Sequence, residues 1–95
     1  MNRRSQTHDQ LVALGYRLTV HLAEGGIHSW SRVAVKLASK GVVVRGFHAE
    51  VSHDPGRSRV VVDVSSLGEE RAIWLCRDLS QLVDVVQADL ESTDP

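Results

Sequence analysis

The segment Leu79-Ser80-Gln81-Leu82-Val83-Asp84-Val85-Val86-Gln87-Ala88-Asp89-Leu90 contains no glycine or proline. It reads as the end of an amphipathic helix that passes directly into a short apolar strand. Leu79 and Leu82, three positions apart, hold one helical face toward a core. Asp84 marks the break, and Val85-Val86 has the β-branched character of a strand. A chain that closes from helix to strand must return that strand to a sheet already built upstream, and this requirement selects among the folds open to it.

The upstream sequence supplies the sheet. Tyr16 to Leu22 alternates, with Tyr16, Leu18, Val20 and Leu22 on one face and Arg17, Thr19 and His21 on the other. Ser29 to Lys40 has helical spacing, with Trp30, Val33, Ala34, Leu37 and Ala38 inward and Arg32, Lys36 and Lys40 as a solvated stripe. Gly41 ends that helix. Val42 to Ser52 reads as a long strand, and His53-Asp54-Pro55-Gly56 is a turn signal. Ser58 to Ser65 alternates again, with Val60, Val62 and Val64 opposed by Arg59, Val61 and Asp63. A second helix begins near Ser66, where Ser66 and Glu69 have capping-box spacing, and its inward residues are Ala72, Leu75, Cys76, Leu79 and Leu82. The order β-α-β-β-α-β predicts an α+β, ferredoxin-like βαββαβ sandwich, a four-stranded antiparallel sheet with two helices on one face.

Ninety-five residues is the length of one domain, here expected over 13–91, with an N-terminal tail at 1–12 and a C-terminal tail at 92–95. No apolar run has signal or membrane length, so the expected location is the cytoplasm, with no membrane partner. A single cysteine excludes an intrachain disulfide, and Cys76 falls on the core face. The net charge of −1 gives no electrostatic case for nucleic acid. RNA-binding modules of this plan stack bases on aromatic residues of the central strands. Here the aromatic residues on predicted strands are Tyr16 and Phe47, and the third strand has none.

Several of these residues together resemble a family. From Leu22 to Val44 and from Ala72 to Leu90 the chain is similar to ACT domains, in particular to the small regulatory subunits of acetohydroxyacid (acetolactate) synthase. The likeness rests on Trp30-Ser31-Arg32-Val33 in the first helix, Lys40-Gly41 at its end, and the Leu-x-x-Leu-Val-Asp-Val segment Leu79 to Val85. It resembles the short, single-domain members. The resemblance implies a non-catalytic protein that binds and modulates a large thiamine-diphosphate-dependent synthase subunit in branched-chain amino-acid biosynthesis, in many members relaying feedback by a branched-chain amino acid. The alternative it implies is a free-standing module that binds an amino acid or other small metabolite at a homodimer interface.

The resemblance also implies an effector site between the first strand and helix and at the start of the second strand. The family's acidic or amide residue, proline and glycine correspond to Gly25, Ile27 and His28, with Gly26 between. The second-strand Asn-Ile corresponds to Val43 and Val44. These departures remove side-chain polarity or add bulk, which favours partner binding over sensing. ACT domains commonly pair side by side, so the Val42 to Val51 strand is the expected homodimer edge, with Arg45 and Phe47 in contact. Trp74 stands off the apolar stripe of its helix, beside Arg71 and Asp78, either as an anchor for a partner or as partial cover for its own helix.

No constellation for catalysis, metal or cofactor stands out. Ser65-Ser66 reads as a cap, Glu69-Glu70 as a pair complementing the helix dipole, and Gly25-Gly26 lacks the rest of a phosphate-binding motif. His8, His21, His28, His48 and His53 have no metal-ligand spacing, and the topology keeps His21 and His48 on strands that a third strand separates.

Overall fold

The computed structural model describes residues 15–52, 56–65 and 67–93. The elements are β1 (Gly15–Leu22), α1 (Ile27–Ser39), β2 (Val43–Val51), β3 (Ser58–Ser65), α2 (Glu69–Ser80) and β4 (Val85–Ser92). The sheet order is β2-β3-β1-β4, antiparallel at every pairing, so β2 and β4 are the edges. This is the ferredoxin-like βαββαβ arrangement.

Period-two alternation places the core. Leu18, Val20 and Leu22 of β1 and Val60, Val62 and Val64 of β3 are buried on the helix side, with Leu18 across from Val62 and Val20 across from Val60 in the β1–β3 register. Val33 and Leu37 of α1 and Ala72, Leu75 and Leu79 of α2 close over them, joined by Leu67. Each such Leu or Val side chain contributes about 1.5–3 kcal/mol relative to an exposed one. α2 packs over β4 and β1. α1 takes the β3 side, where the Trp30 indole N–H donates to Ser58 Oγ at 2.9 Å. Among the described residues, no helix is long and apolar enough to cross a membrane.

Several details differ from the sequence expectation. Ala34 and Ala38 are exposed, while Ser29 is the third buried residue of α1 beside Val33 and Leu37. Arg32 and Lys40 are exposed as expected and also paired: Arg32 with Asp84, and Lys40 with Asp78 at 2.7 Å. α2 begins at Glu69 with Gly68 as N-cap and no side-chain cap, and Ser66, expected to cap it, lies outside the described residues. Glu69 and Glu70 do stand in its first turn, where they complement the dipole. β4 runs to Ser92, with Glu91 opposite Arg17 and Ser92 opposite Tyr16, so the strand continues past the 91/92 boundary where the tail was expected. Gly41 ends α1 at φ +68°, a conformation that costs a glycine little. Of the hairpin turn, Gly56 is described and 53–55 lie outside the described residues, as do His8 and the 1–12 tail.

Candidate functional site

The turn from β1 into α1 is clamped from two sides. The Ser58 hydroxyl donates to the Glu24 carbonyl at 2.6 Å while accepting from Trp30. On the other side the Ala23 N–H donates to the Asp84 carbonyl at 2.9 Å. The Asp84 carboxylate accepts from the buried Ser29 hydroxyl at 2.8 Å and from Arg32. Asp84 therefore does more than break a helix: it bolts the α2–β4 turn to the first turns of α1. Local pattern gives no sign of this, because its partners lie more than fifty residues upstream.

Between these clamps, Gly25 lies close against the start of β3 and the end of β2. A β-carbon there would sit 3.1 Å from the Arg57 carbonyl oxygen and 3.6 Å from Val51 Cγ1. Gly26 is the α1 N-cap, without a side-chain cap and without an acidic residue in the first helical turn. Ile27 and His28, which follow, are both exposed. This end of the sheet offers backbone N–H groups beside apolar surface, a setting suited to a carboxylate with an apolar body.

Val43 and Val44 stand elsewhere. Val43 pairs with Ser65, which shares its end of the sheet with Gly15, whereas Val51 pairs with Ser58 beside Leu22. Nine residues of β2 thus separate the two halves of the expected effector site, about 26 Å along the strand. One protomer does not bring Gly25, Gly26, Ile27 and His28 together with Val43 and Val44.

The dimer candidates fall on an exposed edge. Phe47 faces the buried Val62 across the β2–β3 ladder, so it lies on the helix side, yet it is 42% exposed. Val44, opposite buried Val64, and Val51, opposite buried Ser58, are exposed on the same side. The register shifts between Val44 and Gly46, leaving Arg45 as the extra residue of a bulge. The Arg32–Lys36 flank of α1 meets Leu82 and Asp84, and Ala34 and Ala38 are exposed on the opposite flank. Trp74 is 54% exposed on α2, with the Arg77 guanidinium 5.3 Å from its ring centroid.

The face of the sheet away from the helices is polar and internally paired. Arg17 donates to Asp63 at 2.8 Å, Arg59 pairs with Glu50, and His48 lies 3.5 Å from Glu50. His21 lies 3.3 Å from Asp89. Among the described residues, no three metal-ligating side chains gather. Cys76 packs beside β4 with its Sγ 3.5 Å from the Ala88 carbonyl, and burial raises its pKa, aided by Asp89.

No family model matches the chain, and no curated protein matches it in sequence. Solved structures do match in fold. The ACT domain of a GTP pyrophosphokinase from Chlorobium tepidum superposes with a TM-score of 0.69 at 9% identity, over 81% of this chain and 96% of that one. The C-terminal domain of the MgtC protein from Mycobacterium tuberculosis gives 0.66 at 13% identity, over 83% and 86%. The regulatory subunit of aspartate kinase from Thermus thermophilus gives 0.64 at 15% identity, over 83% of this chain and 51% of that chain. The chain thus has the fold of ACT domains, and at these identities the likeness concerns fold alone.

Proposed function

We propose that this chain is a non-catalytic regulatory module of the ACT type that works as a homodimer paired through β2 and binds a small metabolite at the seam. The observation that carries this reading is the uncovered helix-side row of β2, Val44, Phe47 and Val51, on an edge strand with open backbone groups. Antiparallel pairing of two β2 strands about Phe47 brings the Val43–Val44 end of the second copy alongside the Val51 end of the first. Gly25 already lies against Val51. Pairing therefore reunites Gly25, Gly26, Ile27 and His28 of one copy with Val43 and Val44 of the other, and Arg45 comes to the seam. A branched-chain amino acid suits that composition, its carboxylate at the α1 N-terminus and its side chain among Ile27, Val43 and Val44.

Sedimentation of the full chain and of Phe47→Lys tests the pairing. A wild-type dimer and a folded, monomeric variant are expected; a monomeric wild type refutes it. Thermal-shift titration with valine, leucine and isoleucine tests the effector. Stabilisation that is lost in Phe47→Lys supports a seam site, and stabilisation that persists in the monomer overturns it.

A second reading, a small subunit of acetohydroxyacid synthase, is favoured by the likeness at Leu79 to Val85 and by the half-exposed Trp74. Capture of the large thiamine-diphosphate-dependent subunit in stoichiometric amount, lost with Trp74→Ala, would support it; no such subunit captured would count against it.

A further inference from the structure

At the end of the sheet where β1 leaves for α1 lies a cleft of about 510 Å³. β1 supplies His21, β2 supplies Glu50 and Val51, β3 and the residue before it supply Arg59 and Arg57, and β4 supplies Val86. Ile27, His28, Val43 and Val44 do not line it. The cleft is thus distinct from the seam proposed above, although Val51 borders both.

The lining is unbalanced in charge. The Glu50 carboxylate is already engaged by Arg59, with His48 nearby, and His21 is engaged by Asp89. Arg57 makes no ion pair among the described residues. Among the described residues the cleft therefore offers one guanidinium more than its carboxylate engages. A ligand's ammonium would have to compete with Arg59 for Glu50, whereas a ligand's carboxylate meets Arg57 without displacing anything. At the β4 end the lining turns apolar, with Val86 66% exposed at the register shift opposite His21 and Leu22. From β3 to β4 is two strand spacings, about 10 Å, close to the length of a five- or six-carbon acid. The volume also falls within the range of about 300–1,000 Å³ usual for small-molecule sites.

We propose that this cleft binds a small organic carboxylate lacking an ammonium group, with its carboxylate on Arg57 beside Arg59 and its apolar chain against Val86. The site does not depend on the dimer reading, because every residue in it comes from one chain.

Methyl and amide NMR titration of the full chain with 4-methyl-2-oxopentanoate tests the proposal, with leucine and inorganic phosphate as comparison probes. The oxo acid is expected to give saturable shifts at Val51 and Val86 and at the Arg57 side chain. Affinity should fall about tenfold or more in Arg57→Gln, a surface change whose spectrum otherwise superposes on the wild type, and remain in Arg57→Lys. Absence of saturable shifts overturns the proposal, as does unchanged affinity in Arg57→Gln. Phosphate binding as tightly as the oxo acid overturns its apolar half, and leucine binding as tightly overturns the exclusion of ammonium. Shifts centred on Ile27 and His28 instead would overturn it while supporting the seam reading.

Discussion

Replacing Asp84 isolates the bolt between the two turns. Its carboxylate is 16% exposed and takes the hydroxyl of Ser29, itself 1% exposed, together with Arg32. In Asp84→Ala the Ser29 hydroxyl is left buried without an acceptor, at a cost of about 1–3 kcal/mol. The Arg32 pair adds no more than about 1 kcal/mol, because the guanidinium is half exposed and screened. The expected loss is thus about 1–4 kcal/mol. Asp84→Asn keeps an amide oxygen for Ser29 and gives up the ion pair, so it should lose about 0.5–1 kcal/mol. In the background of Ser29→Ala the orphaned hydroxyl is gone, and Asp84→Ala should cost about 1 kcal/mol less than it does in the wild type. Urea denaturation followed by tryptophan fluorescence measures each corner of this cycle. For a domain of this size every kcal/mol also moves Tm by about 4–8 °C, so Asp84→Ala should fall by about 4 °C or more. Equal losses in Asp84→Ala and Asp84→Asn, or a cycle with no coupling to Ser29, would refute the assignment of the main cost to the buried hydroxyl.

Two further predictions rest on titratable groups. The hydrogen bond and charge of Lys40 hold the Asp78 carboxyl below the usual carboxylate range. A depressed folded pKa contributes stability above the unfolded value of about 3.9 and loses it as pH falls through the folded one. The stability gap between wild type and Lys40→Met should therefore shrink as pH falls below the unfolded value of about 3.9, and urea midpoints measured down through acid pH check it. Burial raises the Cys76 thiol pKa above its ordinary value, so iodoacetamide at pH 8 should alkylate Cys76 more slowly in the native chain than in urea; equal rates would contradict its placement.

What was legible in the sequence follows the physics of burial. β1 and β3 are central strands with one face in the core, so their alternation reads directly from Leu18-Val20-Leu22 and Val60-Val62-Val64. α1 misled at Ala34 and Ala38 because alanine favours helix and is small enough to sit on either face, so it carries little information about direction. The Ser66–Glu69 spacing looked like a capping box, but the first-turn glutamates are accounted for by the helix dipole, and Gly68 makes the turn. In β4 the polar Gln87, Asp89 and Glu91 hid an alternation with Ala88 and Leu90. The effector positions share a sequence pattern but stand at opposite ends of the sheet, and antiparallel geometry imposes that separation whatever the side chains are.

The same distinction bears on the segment that most resembles the synthase subunits. Leu79 is fully buried, Leu82 and Val85 pack against the core, and Asp84 ties the turn to α1. Arg32, from the other resembling stretch, is the partner of Asp84. These positions are therefore explained by the demands of closing a βαββαβ sandwich, and any chain solving that problem in the same way would share them. Residues that the monomer does not need carry more functional information. Phe47 and Val51 on the β2 edge and Trp74 on α2 expose large apolar surface that costs solubility and adds nothing to the core. Such residues are retained at a disadvantage unless something covers them. The choice between a self-paired sensor and a subunit of a larger enzyme thus rests on which surface is covered: the β2 edge for the first, the Trp74 face of α2 for the second.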